Sequence, residues 1–338
     1  MKRILLLLSL AFCARTLAAD PTADATAKFL AGMPIDGTPL ASYSTEPGWV
    51  AHANEFNRAW ERLDKEQLAK VRAWAPQALG SSYKDTGTMF YMFSGPDFLY
   101  ANAFFPNAST YILCGIEAVG VVPDIDKIPC DALPSALANL RKSLDSVLNL
   151  SFFITKFMMA DLKQTQLNGT LPVLYVFLAR AGQTIDSVTP VALDRDGNFV
   201  PAGKDTIPGV KIVFFGQSER KQTLYYFSSD LRDTAIKTSP GFSKFCERQG
   251  QGLTMLKAAA YLMHYPNFVT VRDFLLGHSK VILQDDAGIP FPLIDTAKWD
   301  IQLYPRADSE SKPADRLEFS FGYQCMQPLC SIMVAKPK

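Results

Sequence analysis

The sequence carries almost no excess of charge: 34 lysines and arginines face 33 aspartates and glutamates over 338 residues. A near-neutral chain offers no field for a phosphate backbone or an anionic surface, so nucleic acid is not expected as a partner. Histidine is scarce, at three residues, and the six cysteines form neither a C-x-x-C pair nor a Cys/His spacing suited to zinc. There is no G-x-S-x-G. Ser81-Ser82-Tyr83-Lys84 has the outline S-x-x-K, but the K-T-G and S-D-N runs that complete a penicillin-binding signature are missing. No apolar run approaches the roughly 20 residues that span a bilayer as a helix, so no integral membrane segment is expected. Internal repeats and low-complexity tracts are also lacking, and no cofactor or metal is implied.

What is present begins with the first 19 residues. Lys2 and Arg3 form a basic start, Ile4 to Phe12 an apolar stretch, and Ala18 and Ala19 a small-residue site ahead of Asp20. This is the pattern of a cleaved signal peptide. Cys13 follows Leu10-Ala11-Phe12, where a lipid-attachment cysteine would stand, but the bulky Phe12 argues against acylation. The mature chain, 20–338, is therefore expected to be secreted or periplasmic and to fold as a single globular domain, with a helical subregion over 20–80. Loss of Lys2, Arg3 and Arg15 leaves 31 basic against 33 acidic groups. Of the five remaining cysteines, Cys325 and Cys330 are nearest in sequence and would close a small loop around Pro328 in an oxidising compartment.

Periodicity sets the elements. Trp49, Ala53, Phe56 and Trp60 recur at helical spacing, and a restart is expected where Asp64 caps and Gln67 reaches back. Thr88–Phe93, Ser94-Gly95-Pro96-Asp97, a helix to about Phe105 and Thr110–Ile116 read as strand, turn, helix, strand. Residues 133–167 read as two helices broken near Asn149–Ser151. The continuous apolar run Leu171–Leu178 suits a buried strand, followed by strands at 188–193, 210–215 and 222–228. A helical stretch over Gly241–His278 interrupted at Pro266, strands at 280–284, 299–304 and 317–323, and an exposed loop over 305–316 complete the chain. Helices and strands mixed in this way predict an α/β or α+β fold, a mixed β-sheet with covering helices.

Three places have the residue types that chemistry needs. Ser94, Asp97 and Glu117 frame the first strand-turn-helix-strand unit, whose Gly95 turn and acidic residue past the second strand have the outline of a nucleotide-binding half. The second and third glycines of that pattern are absent, so these three residues are assigned to ligand binding of unspecified kind. His278, Asp285 and Asp286 flank the strand 280–284 and supply the groups for general acid/base work, with Arg272 or Asp273 as neighbours. Asp194-Arg195-Asp196-Gly197-Asn198 has alternating oxygen ligands but lacks the glycine and glutamate of a calcium loop, which leaves a hairpin with an Asp-Gly turn. The expected function is an exported, non-catalytic protein that binds a small ligand or an envelope partner. The alternative is an exported hydrolase using His278 with Asp285 and Asp286. The expected mature amino terminus is Asp20, and amino-terminal sequencing of the exported product checks it.

Overall fold

The computed structural model describes residues 21–150, 167–216, 219–305, 317–323 and 331–338. The leader with Cys13, the second half of the 133–167 stretch, the bulk of the 305–316 loop and the Cys325/Cys330 pair lie outside the described residues. The helices among the described residues are α1 (Pro21–Leu30), α2 (Pro47–Leu63), α3 (Ala69–Leu79), α4 (Phe98–Phe104), α5 (Leu133–Leu150), α6 (Leu171–Arg180), α7 (Asp233–Thr238), α8 (Gly241–Glu247) and α9 (Val269–His278). The strands are β1 (Thr88–Tyr91), β2 (Thr110–Gly115), β3 (Thr184–Leu193), β4 (Phe199–Val200), β5 (Ile207–Phe215), β6 (Lys221–Ser228), β7 (Gly252–Leu256), β8 (Ser279–Asp285), β9 (Trp299–Tyr304) and β10 (Ile332–Pro337). No helix among them is long and apolar enough to cross a membrane.

All ten strands belong to one mixed sheet, in the order β4-β3-β5-β6-β2-β1-β7-β8-β10-β9. Its centre, β6-β2-β1-β7-β8, is parallel. Antiparallel wings complete both sides, β5, β3 and β4 on one and β10 and β9 on the other. Parallel strands need both faces covered, and the two-residue alternation of the strands supplies two apolar faces. Met89, Tyr91, Tyr111 and Leu113 enter one core with α1, α2, α4, α5 and α6. Phe90, Met92, Ile112 and Cys114 enter a second core with α7, α8 and α9. The β1–α4–β2 crossover thus lies on one face and β7–α9–β8 on the other, and they step outward from the β1/β7 pair in opposite directions. That pair is the topological switch point, where open α/β sheets gather polar groups at their strand ends.

The expected strand-turn-helix-strand unit forms as β1, the turn at Gly95, α4 and β2, and the expected strands at 188–193, 210–215, 222–228, 280–284 and 299–304 lie within β3, β5, β6, β8 and β9. The Asp194–Asn198 run is the expected hairpin: Gly197 takes φ 75° and Leu193 pairs with Phe199. Four readings differ. Leu171–Leu178 is helical and wholly buried against both α1 and the sheet, so its lack of periodicity reflects burial all round. Gly252–Leu256 is the strand β7 instead of a helical turn, sealed on both faces. Asp64 does not cap a new helix: α2 continues through a π-helical turn, Asp64–Leu68, into α3, and Asp64 pairs with Arg72 at 2.7 Å. Leu317–Tyr323 is irregular, with Leu317, Phe319 and Phe321 buried against the first core.

The central strands carry the stability. Leu113→Ala, at a fully buried position of β2, is expected to cost about 2–5 kcal/mol. Leu303→Ala, on the edge strand β9 and 42% exposed, is expected to change it by less than about 0.5 kcal/mol. Urea denaturation of the two variants checks the contrast.

Candidate functional site

Asp97 and Asp285, two of the residues singled out from sequence, are tied at the switch point to adjacent residues, Asp97 to Lys257, which the sequence placed inside a helix, and Asp285 to Ala258. Asp97 stands ahead of the first turn of α4, where its Oδ1 accepts from Tyr100 N at 3.2 Å. Its Oδ2 accepts from Tyr91 Oη at 2.9 Å and from Lys257 Nζ at 2.6 Å, with both charged side chains 2% exposed. Lys257 follows the last residue of β7, and its Nζ lies 3.6 Å from the centre of the Tyr100 ring and 5.6 Å from that of Phe321. Asp285 ends β8 and ties the same corner. Its Oδ2 accepts from Ala258 N at 2.6 Å, its Oδ1 accepts from Ala287 N at 3.0 Å, and Gly322 packs against its carboxylate.

Burial rules the electrostatics. It pushes the Asp285 carboxyl up to about 7, helped by the neighbouring Asp286 charge and opposed by the Ala258 N–H. It also pulls Lys257 below the usual lysine range, against the attraction of Asp97 and Asp285. The Tyr91 hydroxyl is held well above the ordinary phenol range by burial and by the Asp97 carboxylate. Of the three non-glycine residues with positive φ among the described residues, Phe93 at 61° and Ala258 at 52° follow the ends of β1 and β7, so two adjoining strands leave the sheet through strained backbone.

Ser94 and Glu117 lie one strand away. Ser94 Oγ accepts from Cys114 N at 3.1 Å and donates to Gly95 O at 2.8 Å, pinning the β1 turn to β2. Glu117 accepts from Tyr226 Oη at 3.2 Å, and its carboxylate lies close over Gly95 and Gly115. A buried carboxylate therefore fills the space above the Gly95 turn that a phosphate would need. Asp286 is buried beside Asp285. His278 does not join them. It ends α9, immediately before the strand that Asp285 terminates, which puts about 20 Å of extended chain between the two. Its Nδ1 bonds Phe274 O at 2.9 Å, and its ring stacks on Phe274 with centres 4.4 Å apart. It borders a small cavity of about 240 Å³ with Met92, Phe242, Cys246 and Val271.

A larger space opens at the opposite, amino ends of β2 and β6. This cleft, about 850 Å³, lies between the π-helical turn, α4, the end of α6 and the β5–β6 connection, with Trp60, Asp64, Asn102, Arg180, Gln183 and Gln222 in its walls. Single π-helical turns inside helices recur at functional sites. Arg180 lies 5.3 Å from the ring centres of Phe56 and Trp60 and donates to Asn57 Oδ1 at 2.6 Å, and burial pushes its guanidinium down to about 10. Gln183 is 7% exposed, and its Nε2 donates to Ala181 O at 2.9 Å, which fixes the amide. Its Oε1, like Arg180 Nε, is buried with no hydrogen-bond partner among the described residues. Gln222 spends its Nε2 on Pro106 O and Ala108 O, and Asn107 its Nδ2 on Tyr83 O. The cleft therefore offers amide oxygens as acceptors. Nothing in the sequence marked it, because its residues come from six separated segments.

Comparison with protein-family models, with curated proteins and with solved structures returns no match.

Asp285 fixes a pH dependence. Its carboxyl is protonated more readily folded than unfolded, so between about pH 4 and 7 the native state binds the extra proton and stability falls as pH rises; above 7 the loss is complete. Asp285→Asn removes the titration. Denaturation from pH 4 to 8 is expected to show a stability slope less negative in the variant than in the wild type, by about 1–4 kcal/mol across the window.

Proposed function

We propose that this chain is exported by its leader and binds a small, neutral, hydroxyl-bearing ligand in the 850 Å³ cleft beside the amino ends of β2 and β6, without catalysing a reaction. The observation that carries the reading is Gln183: a buried amide oxygen, held in a fixed orientation and lacking a donor among the described residues, in the wall of an open cleft. Buried polar atoms are nearly always hydrogen-bonded, so such an acceptor is satisfied when a ligand or water supplies the donor. The cleft falls within the roughly 300–1,000 Å³ of small-molecule sites.

The lining favours a neutral ligand. Glu61 and Asp64 line it together with Lys65, Arg72 and Arg180, so the charges roughly balance, and Asp64 with Arg72 is already an ion pair. Acceptor oxygens, a guanidinium N–H with no partner among the described residues and the edge of an aromatic cluster suit a sugar-like molecule, whose hydroxyls both donate and accept. The hydrolase alternative draws less support, since His278 stands at the far end of β8 from Asp285 and the carboxylates are sealed from solvent.

A thermal-shift screen of the mature protein against neutral oligosaccharides, peptidoglycan fragments, nucleotides and divalent metals tests this. A saccharide or peptidoglycan fragment at about 100 times its Kd is expected to stabilise the fold by about 2.7 kcal/mol, with the shift lost in Gln183→Leu. A shift that survives Gln183→Leu, or a response to nucleotides or metals alone, contradicts the reading.

A further inference from the structure

The sealed pair at the switch point has the makings of a covalent bond. An amine and a carboxyl lie in contact, Lys257 Nζ to Asp97 Oδ2 at 2.6 Å, both 2% exposed, with the Tyr100 and Phe321 rings beside the nitrogen. Both carboxyl oxygens of Asp97 are already gripped by donors that do not take part in the ion pair, Tyr100 N on Oδ1 and Tyr91 Oη on Oδ2. The geometry points to a self-catalysed cross-link: Lys257 Nζ condenses with the Asp97 side chain to form an intramolecular isopeptide bond.

The steps balance without any co-reactant. In the water-free pair the ammonium proton passes to Asp97 Oδ2, giving a neutral amine and a neutral carboxylic acid; charge separation in so dry a site is costly, which favours this transfer. The nitrogen lone pair attacks Asp97 Cγ. Negative charge grows on Oδ1, where the Tyr100 N–H receives it as an oxyanion-hole donor does. The nitrogen, cationic after the attack, passes one proton to the Oδ2 hydroxyl, its contact at 2.6 Å in the starting pair, and that hydroxyl departs as water. The C–Oδ2 bond breaks, a C–N bond forms, and one water leaves. Enclosure holds the reactants together and hinders hydrolysis of the product. The bond would join the first turn of α4 to the end of β7, and it acts once per molecule, independently of any ligand in the cleft.

Intact-mass measurement of the purified, denatured mature protein tests this directly. The expected mass is one water below that of the linear sequence, and trypsin is expected to yield residues 85–127 joined to residues 249–272, uncut after Lys257. Lys257→Met, shown folded by circular dichroism, is expected to keep the full mass of its linear sequence. A wild-type mass equal to the linear sequence, with one free peptide ending at Lys257 and the next beginning at Ala258, overturns the cross-link. A folded Lys257→Met that still loses one water overturns the assignment of the amine.

Discussion

A lysine buried against the carboxylate of Asp97 organises this fold. Five parallel strands covered on both faces leave their carboxyl ends in a dry place, and polar groups there must satisfy one another. Lys257 does so for β1, β7 and β8 together, through Asp97 and the Asp285-bound turn at Ala258. Removing one partner of such a pair leaves a charge with neither water nor counter-ion, at a cost of about 3–5 kcal/mol. The same contact sets the position of α4, because Asp97 also receives the N–H of Tyr100 in its first turn. From there α4 runs to the other end of the sheet, where Leu99, Asn102 and Ala103 line the cleft.

The two ends of the sheet are thus complementary. Open α/β sheets usually place ligands at the carboxyl ends of their strands, but here Glu117, Asp97, Lys257, Asp285 and Asp286 fill that edge with mutually satisfied, buried groups. Room remains at the amino ends of β2 and β6, where α2 is interrupted by its π-helical turn and the antiparallel wing departs. There the polar inventory is reversed: Gln183 Oε1 and Arg180 Nε are buried without partners among the described residues. One edge is closed by its own chemistry and the other is left with chemistry to offer.

Much of the frame was legible in the sequence, and its failures have physical causes. The unit from Thr88 to Gly115 was readable because Gly95, Pro96 and Asp97 are turn and helix-start residues placed between two short apolar runs. Leu171–Leu178 was misread because a segment buried on all sides shows no period, whether helix or strand. The Leu253–Leu256 run suffered the same ambiguity, and with it Lys257 escaped notice, although a lysine set between Leu253–Leu256 and three alanines is an unusual charge in apolar surroundings. Asp97 and Asp285 were named without the partner that joins them. The cleft was invisible because it is assembled from segments as distant as Trp60 and Gln222, each ordinary in its local context.

The central claim is that the sheet's carboxyl edge is a sealed structural lock and that ligand enters at the amino edge. Amide chemical-shift mapping of the isotope-labelled mature protein, titrated with a neutral oligosaccharide or peptidoglycan fragment, tests it most directly. The account predicts perturbations at Asn102, Gly182, Gln183 and Gly216, with Lys257, Ala258 and Asp286 unmoved. Perturbations centred on Lys257, Ala258 and Asp286, with the cleft silent, would contradict it and return the site to the strand ends.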